Sequence, residues 1–405
     1  MRFCMVTTFY PPYHFGGDAT YVRALSQALV AAGHDVEVIH CEDAYRVAGG
    51  EKRNLTSDLD NSIVVHRLKS GLGMLSPLIT QQTGRPGLKY RQIRNILKRD
   101  FDVVNFHNIS LVGGPGVLEL SRAPVTLYTL HEHWLLCPTH IFWKNRRYAC
   151  DFQECFTCSL RSGIPPQLWR YTRLISQAVN NVDLFLSPSA YTARRHSDAG
   201  FNRPIRILPL FSMLEPENRI NPDPARRPSF LYVGRVTASK GIVPLLDYFS
   251  GAKEFDLVVV GTGDLDAVLR KKYLHHNNIT FAGHVSQADL ITHYQNATAL
   301  VFPSLAPETF GLSIVEAFAC GTPAIVHDSG GSRELVEATG GGIIYNTEPE
   351  LKKAVESLAS DYSLRMELGN NARNGFERYY TRDIHLADYL GCVESVIGSR
   401  NTKSH

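Results

Sequence analysis

The sequence predicts an α/β protein built from two doubly wound domains. Two series of apolar, strand-like runs alternate with helical stretches, and a proline-rich segment separates the two series. Apolar runs of this kind are typical of strands buried on both faces of a parallel sheet. The chain has 405 residues, enough for two or three domains. We therefore expect two Rossmann-like units that face each other across a cleft, with ligands at the carboxyl ends of their strands.

The first series starts with the strand RFCMVTTF, followed by a loop that contains Gly16 and Gly17. A helix follows this loop, because Val22 and Leu25 lie on one face at helical spacing. The next predicted strands are DVEVIH, SIVVHRL, DVVNFH, PVTLYTLH and DLFLSPS. We assign residues 1–211 to this N-terminal domain.

The alternating pattern breaks in SMLEPENRINPDPARRPS, where four prolines and mixed charge predict a linker at 212–228. The second series contains SFLYVGRV, DLVVVGTG, ITFAGH, ALVFPS, PAIVHD and GGIIYN. One of its helices is predicted to begin after Ser286, which precedes an acidic residue at capping-box spacing. The second domain is predicted at 229–380, and 381–405 forms a C-terminal helix expected to pack toward the first domain.

Composition limits the functional classes. Apolar residues make up 44% and charged residues 20% of the chain, an ordinary balance for a folded protein. A net charge of +3 does not indicate a nucleic-acid partner. The N-terminal apolar run is too short for a signal peptide, and 18 consecutive apolar residues occur nowhere. These features predict a cytoplasmic location.

The segment YVGRVTASKG places Arg235 and Lys240 between a strand and a helix start. Two cations beside helix amides form a plausible clamp for a diphosphate, although a solvated loop would also carry such charges. The nearby GTGD at 261–264 lacks the third glycine of a dinucleotide fingerprint and indicates a tight strand-to-helix turn.

The segment PSLAPETFGLSIVEAFACGTPAIV carries two glutamates with seven residues between them. Glu308 stands in the loop before a predicted helix, and Glu316 lies within that helix. The helix begins near Phe310, Gly311 and Leu312, so its first free amides follow Glu308 closely. The alternatives are that Glu308 only complements the helix dipole and that Glu316 is an ordinary exposed position.

The E-x7-E segment, GRVTASKG, the early Gly-Gly loop and TLHEHW together resemble the family-4 retaining glycosyltransferases of GT-B fold. The resemblance covers nearly the whole chain. It implies transfer of a sugar from a nucleotide-diphosphate sugar to a hydroxyl acceptor, such as a glycan, a glycolipid or a polysaccharide intermediate. A UDP-sugar is the first expectation for the donor, and no metal or other cofactor is required for transfer.

The resemblance also implies a role for each matching residue. Arg235 and Lys240 would hold the diphosphate, and Glu316 would bind the ribose. Glu308 and the adjacent amides of the helix start would contact the transferring sugar. The residues implied in the donor site are Gly16 and Gly17 over the phosphates, His131 near the anomeric carbon, Arg235, Lys240, Glu308, Phe310, Gly311, Leu312 and Glu316.

Two alternative functions stay open at this stage. One is a GT-B-like sugar-nucleotide epimerase, which would convert the donor without any acceptor. The other is a catalytically silent nucleotide-sugar-binding protein, which would not need the full residue set. In TLHEHW, Glu132 stands where aspartate is commoner in the family, so its role is open.

Four cysteines lie in an insertion at about 137–158: Cys137, Cys150, Cys155 and Cys158. A reducing compartment disfavours disulfides, so a structural zinc site is the leading interpretation, with an iron–sulfur cluster and free thiols as alternatives. The other four cysteines stand singly in apolar segments and are predicted to lie in the core. The aspartate pairs at 58–60 and 264–266 are interpreted as loop and helix-start residues rather than metal ligands.

Basic and aromatic residues recur in the N-terminal domain. They favour peripheral contact with an anionic membrane face, where lipid-linked acceptors reside, although a solvated basic surface fits them equally well. The residues in question are Lys89, Arg91, Arg94, Lys98, Arg99, Trp143, Lys144, Arg146, Arg147, Tyr148 and Trp169.

Overall fold

A computed structural model describes residues 1–50, 62–151, 153–214, 216 and 226–401. Most of the predicted linker and the aspartate pair at 58–60 lie outside the described residues. The chain divides into two compact units. The first contains Met1–His140, Glu154–Leu208 and His385–His405, and the second contains Ile141–Gln153 and Pro209–Ile384.

The described part of the first unit contains a parallel sheet of seven strands in the order β3-β2-β1-β4-β5-β8-β9. Its strands are β1 Arg2–Val6, β2 Asp35–Cys41, β3 Val64–Leu68, β4 Val103–Phe106, β5 Val125–Thr129, β8 Leu184–Ser187 and β9 Ile205–Ile207. Its helices are α1 Gly17–Ala31, α2 Glu42–Val47, α3 Leu75–Thr83, α4 Tyr90–Leu97, α5 Cys155–Arg161, α6 Leu174–Ala178 and α7 Ala190–Asp198. The strand order reverses between β1 and β4, which is where ligands bind in open α/β sheets.

The second unit contains a parallel sheet of six described strands in the order β12-β11-β10-β13-β14-β15. These strands are β10 Ser229–Val233, β11 Asp256–Val260, β12 Ile279–Gly283, β13 Ala299–Phe302, β14 Ala324–His327 and β15 Gly342–Tyr345. A short antiparallel pair, β6 Trp143–Lys144 and β7 Tyr148–Ala149, also belongs to this unit. The helices are α8 Ile242–Gly251, α9 Asp266–Lys272, α10 Gln287–Asn296, α11 Leu312–Ala319, α12 Ser332–Thr339, α13 Glu348–Ser360 and α14 Tyr362–Tyr379, followed by α15 Arg382–Asn401, which continues into the first unit.

The predicted two-domain α/β architecture is confirmed. The central strands are apolar on both faces because helices cover both sides of each sheet; Phe3 to Val6 of β1, for example, are fully buried. The predicted start of α10 is also confirmed, since the Ser286 side chain accepts a hydrogen bond from the Asp289 amide.

Several residues of the predicted membrane-contact set lie inside the protein. Lys89 and Lys144 are almost fully buried, and Trp143 and Trp169 are buried as well. Lys89 forms an ion pair with the buried Asp43, at 3.1 Å between Nζ and Oδ2. These four residues therefore cannot form an exposed docking surface, and that part of the prediction is wrong. Among the described residues, no helix is both long and apolar enough to cross a membrane.

Candidate active site

In the second unit, the loop after β10 carries Arg235 and Lys240. The Tyr232 hydroxyl donates a 2.6 Å hydrogen bond to the Arg235 carbonyl oxygen, which anchors the loop while the Arg235 side chain stays exposed. Burial raises the pKa of Tyr232, so this hydroxyl keeps its proton and stays a donor.

Glycines allow the neighbouring turns to pack onto this loop. A side chain at Gly261 would place its Cβ 2.0 Å from the Gly234 carbonyl oxygen, so the GTGD turn lies directly against the loop. Gly241 has a φ of +67° and its Cβ would lie 1.9 Å from the Pro303 carbonyl oxygen, which brings the loops after β10 and β13 into contact. The interpretation of GTGD as a tight turn agrees with this packing.

Lys240 and Glu308 meet although they lie 68 positions apart in the sequence. Lys240 Nζ donates to Glu308 Oε1 at 2.5 Å, and both side chains are about four-fifths buried. The Ser304 hydroxyl donates to the same carboxylate oxygen. An ammonium has three N–H donors, so Lys240 retains donors for a further acceptor such as a phosphate oxygen.

The backbone of Glu308 is held by a pair of glycines that the sequence analysis did not single out. The Gly331 amide donates to the Glu308 carbonyl oxygen at 2.7 Å. Gly330 has a φ of +77°, and a Cβ there would lie 2.3 Å from that same oxygen. Only glycine permits this approach, so the two glycines after β14 fix where the Glu308 carboxylate is presented. In the sequence, a double glycine that follows a predicted strand could have indicated this close contact.

Helix α11 begins at Leu312, with Gly311 at the N-cap position and Phe310 buried before it. Within the part of the chain that the structure describes, no side chain caps this end, so its first amides stay open to a ligand.

Glu316 lies one turn into α11 and is half-buried. The Tyr294 hydroxyl donates to Glu316 Oε2 at 2.8 Å. Burial raises the pKa of Glu316 to about 7, and the hydrogen bond from Tyr294 opposes that rise. Glu316 is therefore not an ordinary exposed helix position, because burial and a dedicated donor surround its carboxyl group.

In the first unit, Gly17 begins helix α1 and Gly16 occupies its N-cap position. Gly16 has no side chain that could cap the helix, and the Asp18 carboxylate in the first turn accepts a hydrogen bond from the Ala19 amide at 2.8 Å. Asn108, which follows β4, donates to Asp18 Oδ2 at 3.3 Å. The Gly-Gly loop thus lies beside the residues that follow β4, at the reversal of strand order.

His131 follows β5 and forms a 2.9 Å hydrogen bond, through Nε2, with Nδ1 of the buried His107. The two rings stack with centroids 5.2 Å apart, and Tyr21 packs edge-on against His131. Burial lowers the pKa of His131 to about 4, although the Asp18 carboxylate opposes that change. His131 is therefore a neutral imidazole at neutral pH.

His107 was not predicted, although both histidines follow strand-like runs, in DVVNFH and PVTLYTLH. Glu132 also acquires a defined role, because its Oε2 lies 2.7 Å from His140 Nδ1 and ties the TLHEHW turn to the start of the cysteine-rich segment.

Among the described residues, the four clustered cysteines form no disulfide bond; Cys137 and Cys158 are buried, and Cys150 and Cys155 are partly exposed. In the described ranges, no group of three or more His, Cys, Asp or Glu side chains is arranged to hold a metal ion. This arrangement of the cysteines does not support the predicted four-thiolate zinc site. Zinc binding by this segment stays a prediction. The other four cysteines are buried in the core, as expected.

Two family models match most of the chain: Glycosyltransferase Family 4 over residues 15–211 and Glycosyl transferases group 1 over residues 215–375. An uncharacterized glycosyltransferase of Methanocaldococcus jannaschii is 23% identical over 399 residues, with 95% of each chain covered.

Solved structures with the same fold include sucrose-phosphate synthase from Thermosynechococcus elongatus, with a TM-score of 0.76 and 18% identity, covering 98% of this chain and 99% of that one. HepE of Anabaena, in complex with UDP and glucose, has a TM-score of 0.67 and 17% identity, covering 98% of this chain and 100% of its own. At these identities the likeness establishes the shared fold alone.

Proposed function

The chain belongs to the family-4, group 1 glycosyltransferases of GT-B fold, and from that premise we propose a retaining transfer of sugar from a UDP-sugar to a hydroxyl acceptor without a metal ion. The UDP and glucose bound by HepE support this choice of donor. The acceptor we propose is a glycan or a lipid-linked intermediate. The observation that carries the proposal is the convergence of Lys240, Glu308 and Ser304 beside the open start of α11.

This arrangement would stabilise the departing diphosphate. As the bond between the anomeric carbon and the diphosphate breaks, negative charge grows on the phosphate oxygens. Lys240, with donors to spare, and the exposed Arg235 guanidinium would meet that charge, together with the helix amides at Gly311 and Leu312. Cationic side chains would then take the place that a divalent ion has in other transferases.

Retention follows if the acceptor hydroxyl attacks the face that the diphosphate leaves. The departing phosphate oxygen would accept the hydroxyl proton while the acceptor oxygen bonds to the anomeric carbon. Glu308, held by the two glycines after β14, would bind hydroxyls of the transferring sugar, and Glu316 would accept from the ribose hydroxyls. His131, neutral at pH 7 and held by His107, would orient the sugar by hydrogen bonding rather than donate a proton.

The test is turnover of UDP-glucose, with other nucleotide sugars in parallel, by the full-length protein with a panel of glycan and lipid-linked acceptors. NMR should find the donor's anomeric configuration in the product. Conversion of the donor into another sugar nucleotide without acceptor would establish the epimerase instead. Binding of nucleoside diphosphate without turnover on any acceptor would favour the silent binding protein. An inverted anomer would refute the retaining mechanism.

A further inference from the structure

Helix α3 of the first unit turns its polar side inward. Ser76, Pro77, Thr80 and Gln81 are buried, whereas the leucines of the helix face solvent. An ordinary surface helix has the opposite arrangement.

Specific contacts hold α3 in this orientation. The buried Lys89 ammonium donates to the Ser76 hydroxyl at 2.5 Å and pairs with Asp43. The Gln81 side chain donates to the Pro165 carbonyl oxygen at 2.9 Å, and the Trp169 indole donates to the Gln81 carbonyl oxygen at 2.8 Å. Rotation of the helix to bury its leucines would leave these buried polar groups without partners, at a high energetic cost.

Large apolar side chains are exposed on α3, on the turn before it, on two segments next to it and at the start of α4. Leu75 and Leu78 project from α3, with exposed fractions of 56% and 39%. The segment Gly87–Lys89 packs on α3, since a Cβ at Gly87 would touch Ile79, and Leu168–Tyr171 is joined to α3 through Trp169. We call the following residues the apolar ridge: Leu72, Met74, Leu75, Leu78, Leu88, Tyr90, Leu168 and Tyr171. Single exposed leucines are common, but a concentration of this kind marks an interaction surface.

A cationic cavity begins where the ridge ends. Tyr90 belongs to both, and the cavity of about 430 Å³ is also lined by Arg85, Arg94, Lys98 and Arg122. One carboxylate, that of Glu119, pairs with Arg85 at 3.2 Å. Within the described residues the other three cations form no ion pair, so the cavity has a net positive charge.

We propose that the apolar ridge and the cationic cavity together form a docking surface for a bilayer that contains anionic lipids. The apolar side chains would enter the boundary between headgroups and acyl chains, and the cavity would hold lipid phosphates. The combination selects a membrane over a second copy of this chain, because two cationic cavities brought together would repel. The surface deepens the proposed function, since it would bring the enzyme to lipid-linked acceptors.

The test is flotation of the full-length protein with vesicles of phosphatidylcholine alone or with 30% phosphatidylglycerol added, on the order of an inner-leaflet charge density. Binding should require the anionic lipid. Replacement of Arg94, Lys98 and Arg122 by glutamine should weaken partition roughly a hundredfold, because each cation contributes about fivefold near such a surface. The double variant Leu75→Ser, Leu78→Ser should also weaken it, by roughly tenfold or more.

Matched controls lie in the second unit. Leu274 is the most exposed of the large apolar residues described there, at 72%, and Lys271 is an exposed cation, so Leu274→Ser and Lys271→Gln should leave partition unchanged. Equal binding to both kinds of vesicle, or equal losses in ridge and control variants, would overturn the proposal. So would loss of self-association in the leucine variant without any vesicle binding, which would assign the ridge to a second copy.

Binding of UDP to the same variants separates the two proposals. The docking variants should bind UDP like the wild type, because none of the substituted residues belongs to the candidate active site. Vesicle binding without UDP binding in the wild type would refute the proposed function and leave the docking surface standing.

Discussion

Replacing Glu316 by glutamine should stabilise the protein at alkaline pH and weaken nucleotide binding at the same time. Burial raises the pKa of Glu316 to about 7, whereas a glutamate in an unfolded chain titrates near ~4.3. The native state therefore binds more protons than the unfolded state between these values, so Glu316 destabilises the fold increasingly as pH rises through that window. Each tenfold change in proton affinity is worth about 1.4 kcal/mol, which gives an upper limit of about 4 kcal/mol at pH 8.

Glutamine carries no charge and its carbonyl can still accept from Tyr294, so Glu316→Gln removes this cost without losing the hydrogen bond. For a unit of this size, about 4 kcal/mol corresponds to a rise of at most about 15 °C in the melting temperature. The actual gain should be smaller, because the half-buried side chain retains some contact with water. The difference should shrink to about 1 kcal/mol at pH 5.

Nucleotide affinity should change in the opposite direction. Hydrogen bonds to a charged acceptor are worth about 1.5–3 kcal/mol, so UDP should bind roughly ten- to a hundredfold more weakly to the variant at pH 8. Thermal melting from pH 5 to 8 and calorimetric titration with UDP measure the two effects separately. The control is Glu367→Gln, an exposed glutamate on α14. A melting difference that does not depend on pH, or unchanged UDP affinity at pH 8, would refute this reasoning.

Three further outcomes follow from the site and the core. Lys240→Ala should lower turnover at saturating donor by roughly a hundredfold or more, whereas Lys271→Ala should not; normal turnover would remove Lys240 from the diphosphate clamp. Chelation of magnesium and manganese should leave the transfer rate unchanged, and a loss restored by magnesium would contradict the metal-independent mechanism. Urea unfolding, monitored by tryptophan fluorescence, should show that the free energy of unfolding of the first unit falls as pH falls from about 6.5 to 4. A free energy of unfolding that does not change over that range would contradict the expectation. The reason is that burial lowers the pKa of six histidines in the described part of that unit, so the unfolded chain binds more protons there: His34, His40, His107, His131, His133 and His196.

The architecture was predictable because both sheets consist of short apolar strands buried on both faces. Such apolar runs can be assigned as strands without ambiguity when glycines and helical stretches separate them, as between β10 and β11. The meeting of Lys240 and Glu308 was implied only by family resemblance. Its physical cause is that β10 and β13 are neighbours in the sheet although three helices and two strands lie between them in sequence.

Contacts set by strand order were beyond the sequence analysis. His107 meets His131 because β4 and β5 are adjacent, and Gly330 reaches Glu308 because β13 and β14 are adjacent. Burial of Lys89 was missed for a similar reason, since its partner Asp43 follows β2, 46 residues earlier. A charged residue on an apparently amphipathic helix gives no sign of such a partner, and exposure is the commoner outcome.

Burial sets the charge state of candidate site residues in both units, with opposite consequences for pH. Burial disfavours the charged form of each group, so between about pH 4 and 7 His131 in the first unit has lost its proton whereas Glu316 in the second still carries one. Between about pH 4 and 7, rising pH therefore stabilises the first unit through its histidines and destabilises the second unit through Glu316. Ribose hydroxyls that donate to Glu316 would favour its charged form, as Tyr294 already does, so a nucleotide would offset the cost that the empty site carries. The same burial that makes Glu316 unfavourable for folding would thus make it sensitive to the ligand, because a hydrogen bond is stronger where water is excluded.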